Sequence, residues 1–183
     1  TNDNASTNTD PWGTFGNDDR GIDENDRRHA LSVSAIAPLP WGIQLSTILS
    51  LRNGNPWDVT AGVDLDRDGN NQDRPAGLQK NSGGRESEGN LAIINAFRQS
   101  RNLAPITMEQ LTRTSADKVV DLRATKMFQL PGRSRFEVFL EAYNLLNTVN
   151  FENPSGVITS GSFATYTTAR AARQIQWGAR IQF

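Results

Sequence analysis

The sequence predicts an all-β fold: an up-and-down antiparallel transmembrane β-barrel segment of about five strands, an open fragment with long extracellular loops. Five segments of about ten residues alternate apolar and polar side chains, which is typical of a strand whose two faces have different surroundings. The polar connections between them alternate between long and short, as do the loops and turns of outer-membrane barrels. Only 36% of the 183 residues are hydrophobic, and no apolar run is long enough for a membrane-spanning helix.

The first two predicted strands are residues 29–37 and 43–52, joined by the tight connection PLPWG at 38–42. In the second strand one face is mostly leucine and isoleucine and the other mostly polar. The first face consists of Ile43, Leu45, Thr47, Leu49 and Leu51, and the second of Gln44, Ser46, Ile48, Ser50 and Arg52. The length of each segment suits a tilted strand that crosses a bilayer.

Three further strands are predicted at 119–130, 135–146 and 173–183, with the short turn PGRSR between the first two of them. Charged side chains recur on one face of these strands, and we expect that face to line a wet or plugged barrel interior. The residues expected to face the lumen are Arg52, Asp121, Arg123, Glu137, Glu141 and Arg180. The opposite, apolar row of the last strand consists of Ile175, Trp177, Ala179, Ile181 and Phe183.

The connecting segments are polar and of very unequal length. Residues 1–28 are expected to form an outer loop or arm, and long loops are expected at 53–117 and 147–171. Within the first long loop, Asn90 is expected to cap one helical turn, and Thr107 with Gln110 forms a capping-box pattern for a second.

An aspartate-rich run, DLDRDGNNQD, resembles the start of a calcium loop. Alternate carboxylates can converge on one hard cation, and a following glycine permits the sharp turn. The candidate ligands are Asp64, Asp66, Asp68 and Asp73. Pro75 occupies the position where an EF-hand has its bidentate glutamate, so we expect calcium to bind weakly or not at all, and we expect no other cofactor.

Several classes of function are excluded or disfavoured by composition. The chain has no cysteine and one histidine, which excludes disulfides, thiolate metal sites, cysteine nucleophiles and multi-histidine metal sites. A formal net charge of -1 gives no reason to expect a nucleic-acid partner. No nucleophile elbow, phosphate loop or metalloprotease helix occurs, so we do not expect an enzyme.

Four stretches carry a resemblance to a known family. They are DRRHALSVSAIAPLPWG (26–42), GVDLDRDGNNQDRPAG (62–77), VVDLRATKMFQLPGRSRFEVFLEAYNLLNTVNF (119–151) and ARQIQWGARIQF (172–183). Together they resemble the C-terminal end of a TonB-dependent outer-membrane receptor of the Oar-like group, whose members carry a carboxypeptidase-regulatory-like domain at the other end. The segment EAYNLLNTVNF is the most specific of these matches.

The resemblance implies a function and a location. Residues 29–183 would be the C-terminal strands of a receptor barrel in the cell outer membrane. The whole protein would bind an extracellular substrate and import it, or transmit a signal, with TonB-coupled energy. The implied partners are outer-membrane lipid, the remainder of the barrel with its plug domain, TonB through a segment absent from this chain, and a substrate that the sequence does not identify.

A complete receptor barrel of this type has about 22 strands, so we expect the chain to be a fragment of a longer protein. The resemblance also implies that the apolar row that ends at Phe183 is the signal recognised by the barrel-assembly machinery. The competing interpretation is a soluble calcium-dependent β-sheet adhesion or binding module, supported by the aspartate run and the polar composition. The apolar strand faces discriminate between the two, because a soluble module would bury them against a second sheet.

Overall fold

A computed structural model describes residues 21–183; the rest of the predicted arm, residues 1–20, lies outside the described residues. The described chain divides into two compact units. The sheet unit comprises His29–Arg52, Ala116–Asn150 and Ala169–Phe183. The loop unit comprises residues 21–28 together with Asn53–Ser115 and Phe151–Thr168.

The sheet unit contains five strands that pair in sequence order, β1-β2-β3-β4-β5, and every pair is antiparallel. Their bounds are β1 Ala30–Leu39, β2 Ile43–Arg52, β3 Asp117–Gln129, β4 Arg135–Tyr143 and β5 Gln174–Gln182. This is the predicted up-and-down topology, and the strand bounds lie within three residues of those expected at each end.

The first short connection is a one-turn 3-10 helix, Pro40–Gly42, between β1 and β2. Trp41 has a φ of 65° and Gly42 a φ of 72°, so two successive residues adopt left-handed conformations. Only the glycine adopts such a conformation without steric cost. The turn from β3 to β4 closes with a hydrogen bond from the Leu130 N–H to the Ser134 carbonyl, 3.0 Å.

β4 ends earlier than the predicted residue 146, because beyond its end asparagine side chains take the place of the backbone hydrogen bonds between strands. Asn144 and Asn147 adopt left-handed conformations, with φ of 50° and 53°. The Asn144 side chain donates to the Thr148 carbonyl and accepts from the Thr148 N–H, at 2.9 and 3.0 Å. Asn150 then accepts from the Lys118 N–H and donates to its carbonyl, which continues β3 pairing through a side chain. These contacts give the segment EAYNLLNTVNF a physical role in ending the strand.

The loop unit has a hydrophobic core of its own. Within the described residues, every buried hydrophobic side chain lies in this unit and none lies in a strand of the sheet. The cluster consists of Trp57, Val59, Leu78, Ile94, Ile106, Leu111, Ile158, Phe163 and Ala164. The long connections are therefore folded around a common core.

Two capped helices contribute to this core, α1 Glu88–Ser100 and α2 Met108–Leu111. The capping box at Thr107 and Gln110 is present as predicted. The expected cap at Asn90 is wrong: the helix begins earlier, and the Ser87 hydroxyl accepts from the Asn90 N–H at 3.2 Å. A capping residue lies just before the helix, where its side chain can accept from the free N–H groups of the first turn. Ser87 lies there, whereas Asn90 lies within the helix.

Buried polar contacts hold the segments of the loop unit together. The Arg98 guanidinium donates to the Ala104 and Ile158 carbonyls, both at 2.6 Å, and lies 5.3 Å from the centre of the Phe163 ring. Burial lowers the pKa of Arg98 from its ordinary value. None of the helices in the described part of the chain is long and apolar enough to cross a membrane.

Candidate functional site: the charged face of the sheet and its folded connections

The six residues predicted to face a lumen all lie on one face of the sheet. The register pairs Arg52 with Asp117, Arg123 with Glu141, and Glu137 with Arg180. Asp121 lies two residues from Arg123 along β3, and therefore on the same face. The register thus brings together charges that are far apart in the sequence.

Arg123 is the centre of a polar cluster on this face. Its Nη1 donates to the Glu141 carboxylate at 2.6 Å and its Nη2 to the Glu137 carboxylate at 3.1 Å. The Tyr143 hydroxyl donates to the second Glu141 oxygen at 3.2 Å, and the Gln176 amide donates to the same oxygen. Glu141 is therefore almost fully enclosed by partners, while the Arg123 side chain is 41% exposed. Charge-assisted bonds of this kind fix the geometry of the side chains.

An aromatic ring packs against the guanidinium group at the centre of this cluster. The Arg123 guanidinium carbon lies 4.3 Å from the centre of the Phe139 ring, close enough for a cation–π interaction. Phe139 pairs with Gly178 across β4 and β5, and a Cβ at Gly178 would lie 2.5 Å from the Phe139 ring. The absence of a side chain at Gly178 therefore makes room for the ring that supports Arg123.

No local pattern in the sequence marks Tyr143, Gln176, Phe139 or Gly178 as members of this cluster. Alternation did place Gln176 and Gly178 on the charged face, and Tyr143 shares the parity of Glu141. Alternation within a strand does not give the register between strands. That register decides that Arg123 lies opposite Glu141 and that Glu141 lies opposite Gln176.

The other face of the sheet is apolar and exposed. One row runs across all five strands as Ala37, Leu45, Ala124, Leu140 and Trp177. Trp177 is 80% exposed, and Ile175, Ile181 and Phe183 on the same side are exposed as well. Ala179 lies opposite Val138 within this face. A sheet in water would not leave so large an apolar face uncovered.

Two lysines of β3 lie on this apolar face, one near each end of it. Lys118 pairs with Leu51, and Lys126 pairs with Ile43 beside the first short turn. At about 3.4 Å per residue they are roughly 27 Å apart along the strand, or about 20 Å along the membrane normal at a tilt of about 45°. Lys126 donates to the Trp41 carbonyl, and Trp41 is 82% exposed. The two lysines therefore lie near the ends of the apolar face, where their long side chains can reach the bilayer interfaces, and Trp41 lies at one of these ends.

The aspartate run brings together three of its four candidate ligands. Oxygen atoms of Asp64, Asp66 and Asp73 lie within 4.8 Å of one another, while Asp68 is outside this group. The Asp64 carboxylate accepts from the Arg67 N–H at 2.5 Å and the Gly69 N–H at 2.9 Å.

The loop itself explains how these carboxylates stay together. Desolvation raises the pKa of Asp64, but hydrogen bonds from backbone N–H groups, first that of Gly69, hold it below its ordinary value overall. Asp73 accepts from the Leu65 N–H at 2.5 Å, and Asp66 accepts from the Asp68 N–H at 3.0 Å. The loop is thus organised by its own backbone.

A family model described as "Outer membrane beta barrel domain" matches residues 1–176 of the chain. The chain belongs to the outer membrane beta barrel domain family. No curated protein and no solved structure matches the chain. The family assignment confirms the predicted all-β transmembrane barrel fold and the outer-membrane location. The soluble calcium-dependent module is not favoured, because the match covers β1 to β4 together with both long connections.

Proposed function

We propose that this outer-membrane barrel domain forms part of the wall and the ligand-binding loops of a TonB-dependent receptor of the Oar-like group. In this proposal the complete protein binds an extracellular substrate and imports it, or transmits a signal, with TonB-coupled energy. The role is not enzymatic. The plug domain, TonB and the rest of the barrel are partners supplied by other parts of the protein and the cell.

The folded connections are the observation that carries the proposal. A barrel that served only as an anchor would need no more than short turns at both ends. Here the connections between β2 and β3 and between β4 and β5 build a unit with nine residues in its buried core and two capped helices. Binding residues are commonly placed on loops that are held by a rigid scaffold.

The charged face supports the same proposal. With its apolar face toward lipid, the sheet presents Arg52, Asp121, Arg123, Glu137, Glu141 and Arg180 to the barrel interior. The Arg123 cluster satisfies the Glu141 carboxylate within the wall and leaves Arg123 itself partly exposed. An interior of this kind suits contact with a polar plug or with water.

The strand β5 supports a role in assembly within this proposal. Its apolar row, Ile175, Trp177, Ala179 and Ile181 with Phe183 beyond it, is exposed on the face that we assign to lipid. We assign this row as the element that the barrel-assembly machinery recognises.

The test is a comparison of solute uptake in the cells that make the complete protein. Four strains are compared: wild type, a deletion of the gene, a TonB deletion and the double deletion. Mass spectrometry follows which solutes disappear from a defined mixture in the medium. We expect at least one solute to be depleted by the wild type and by none of the three deletion strains. Equal depletion by the wild type and the TonB deletion would contradict energy-coupled import. A transmitted signal without import would instead change gene expression on addition of a solute, again only in the wild type.

A further inference from the structure

A small polar cavity lies within the loop unit, with a volume of about 130 Å³. Its charged lining residues are Asp26, Arg28 and Arg85. The rest of the lining comes from Asn53, Gly54 and Pro56 at the start of the first long connection, and from Gly84 and Thr114. No residue of the aspartate run is among the lining residues.

One wall of the cavity is fixed in place by hydrogen bonds. Residues 21 and 22 join the loop unit through a parallel bridge from Gly21 to Lys80 and a bond from the Asn81 amide to the Ile22 carbonyl, 2.5 Å. Arg27 donates to the Asn53 carbonyl at 2.9 Å. The segment that carries Asp26 and Arg28 is therefore anchored at both ends.

The part of the lining that contains Gly84 and Thr114 is also held by close packing and hydrogen bonds. Gly84 has a φ of 83°, and a Cβ there would lie 2.8 Å from the Thr114 side chain. Gly83 pairs with Trp57 through two backbone hydrogen bonds, of 3.0 and 3.2 Å, and the indole lies against it. The Trp57 indole N–H in turn donates to the Arg113 carbonyl at 2.8 Å. The backbone of the lining is thus held in place before a ligand binds, which reduces the entropy lost on binding.

The charge of the cavity favours an anion. Arg85 pairs with Asp26 at 2.5 Å, so these two charges largely cancel. Within the described part of the chain Arg28 forms neither a hydrogen bond nor an ion pair, which leaves one net positive charge facing the cavity. A guanidinium binds a carboxylate through two parallel hydrogen bonds. The volume is below the roughly 300–1,000 Å³ of sites for drug-sized ligands, so it admits a small acid or the acidic end of a longer solute.

We propose that this cavity binds the carboxylate group of an organic solute, with Arg28 as its principal partner and Arg85 as the second. The claim that carboxylates are the substrate class of the receptor rests on the proposed function. The claim that the cavity binds a carboxylate rests on the cavity alone and is tested by binding measurements alone.

The experiment uses the complete protein, assembled and solubilised in detergent, and two matched probes. N-acetylalanine carries a carboxylate, and N-acetylalanine amide differs from it only at that group. Calorimetry or ligand-observed NMR at low salt measures both affinities. We expect the acid to bind at least tenfold more tightly than the amide, and added salt to reduce that difference.

Three variants make the test specific. Arg28→Gln should weaken binding of the acid at least fivefold. Asp26→Asn should strengthen it about threefold, because Arg85 loses its internal partner and becomes available. Arg133→Gln, in the turn between β3 and β4, is the matched control outside the cavity and should leave binding unchanged.

Arg28→Gln and Asp26→Asn are expected to change the affinity for the acid in opposite directions. This separates an electrostatic effect from misfolding, because damage to the fold would weaken binding in both variants. Equal affinity for acid and amide, no effect of Arg28→Gln, or weaker binding in Asp26→Asn would each overturn the proposal. If the acid binds as expected but neither solute uptake nor a change in gene expression depends on TonB, the cavity stands and the receptor function falls. If uptake needs TonB while the acid does not bind, the cavity falls and the receptor function stands.

Discussion

At the residue scale, backbone N–H groups hold the carboxylates of the aspartate loop in place. Asp64 and Asp73 accept backbone hydrogen bonds as short as 2.5 Å, and Asp68 lies outside the group of converging oxygens. Three ligands without a bidentate glutamate are few for calcium, which takes six to eight oxygens. We therefore predict weak or absent calcium binding. The measurement is calorimetry on the folded chain, with Asp66→Asn as the comparison. A sub-micromolar affinity that this variant abolishes would show the prediction to be wrong.

Single residues also show where sequence reasoning succeeds and where it ends. Alternation along a strand is enough to place Arg123, Glu137 and Glu141 on one face, because side chains repeat with a period of two. It does not identify the cavity of the loop unit. Arg28 and Arg85 are far apart in the sequence, and only long-range pairing within the loop unit brings them to the same cavity. No local motif marks such a pair.

At the element scale, the pairing of β4 with β5 depends on one position without a side chain. A Cβ at Gly178 would lie 2.5 Å from the Phe139 ring, which would displace the ring and with it the support of Arg123. We predict that Gly178→Ala lowers the free energy of unfolding of the assembled barrel by roughly 1–3 kcal/mol. Urea titration of the heat-modifiable form measures this. Ala179→Val adds bulk on the neighbouring, exposed position and should change stability little. Identical unfolding of Gly178→Ala and wild type would contradict the observed packing.

The strands and the loops differ in how far they could be predicted. The two short turns and all five strands follow from hydropathy alternation and the turn residues. The early end of β4 does not, since it depends on asparagine side chains that bond to Thr148 and Lys118 rather than on hydropathy. The core of the loop unit is also invisible to periodicity. Most of its members lie in irregular segments, where burial follows no fixed period.

At the scale of the whole molecule, the sheet of the described residues has two free edges, β1 and β5. Unpaired backbone groups cost several kcal/mol each in lipid, so both strands must find partners when the barrel closes. The exposed apolar face has no second layer within the sheet unit. Lipid and the remaining strands of the barrel are the partners that satisfy both requirements in this proposal.

Barrel closure leads to a prediction at Phe183. This residue continues the apolar row of Ile181, Ala179 and Trp177 and is fully exposed, whereas Gln182 lies opposite Arg135 on the charged face. In the complete protein, Phe183→Asp places a charge on the lipid-facing side and removes an aromatic anchor at the interface. The same change at Gln182 places the charge beside an arginine and should be tolerated. We therefore predict that Phe183→Asp impairs assembly severalfold more than Gln182→Asp. The measurements are heat-modifiability and surface protease accessibility at matched expression in an outer membrane. Equal assembly of the two variants would mean that the apolar row of β5 is not read during assembly.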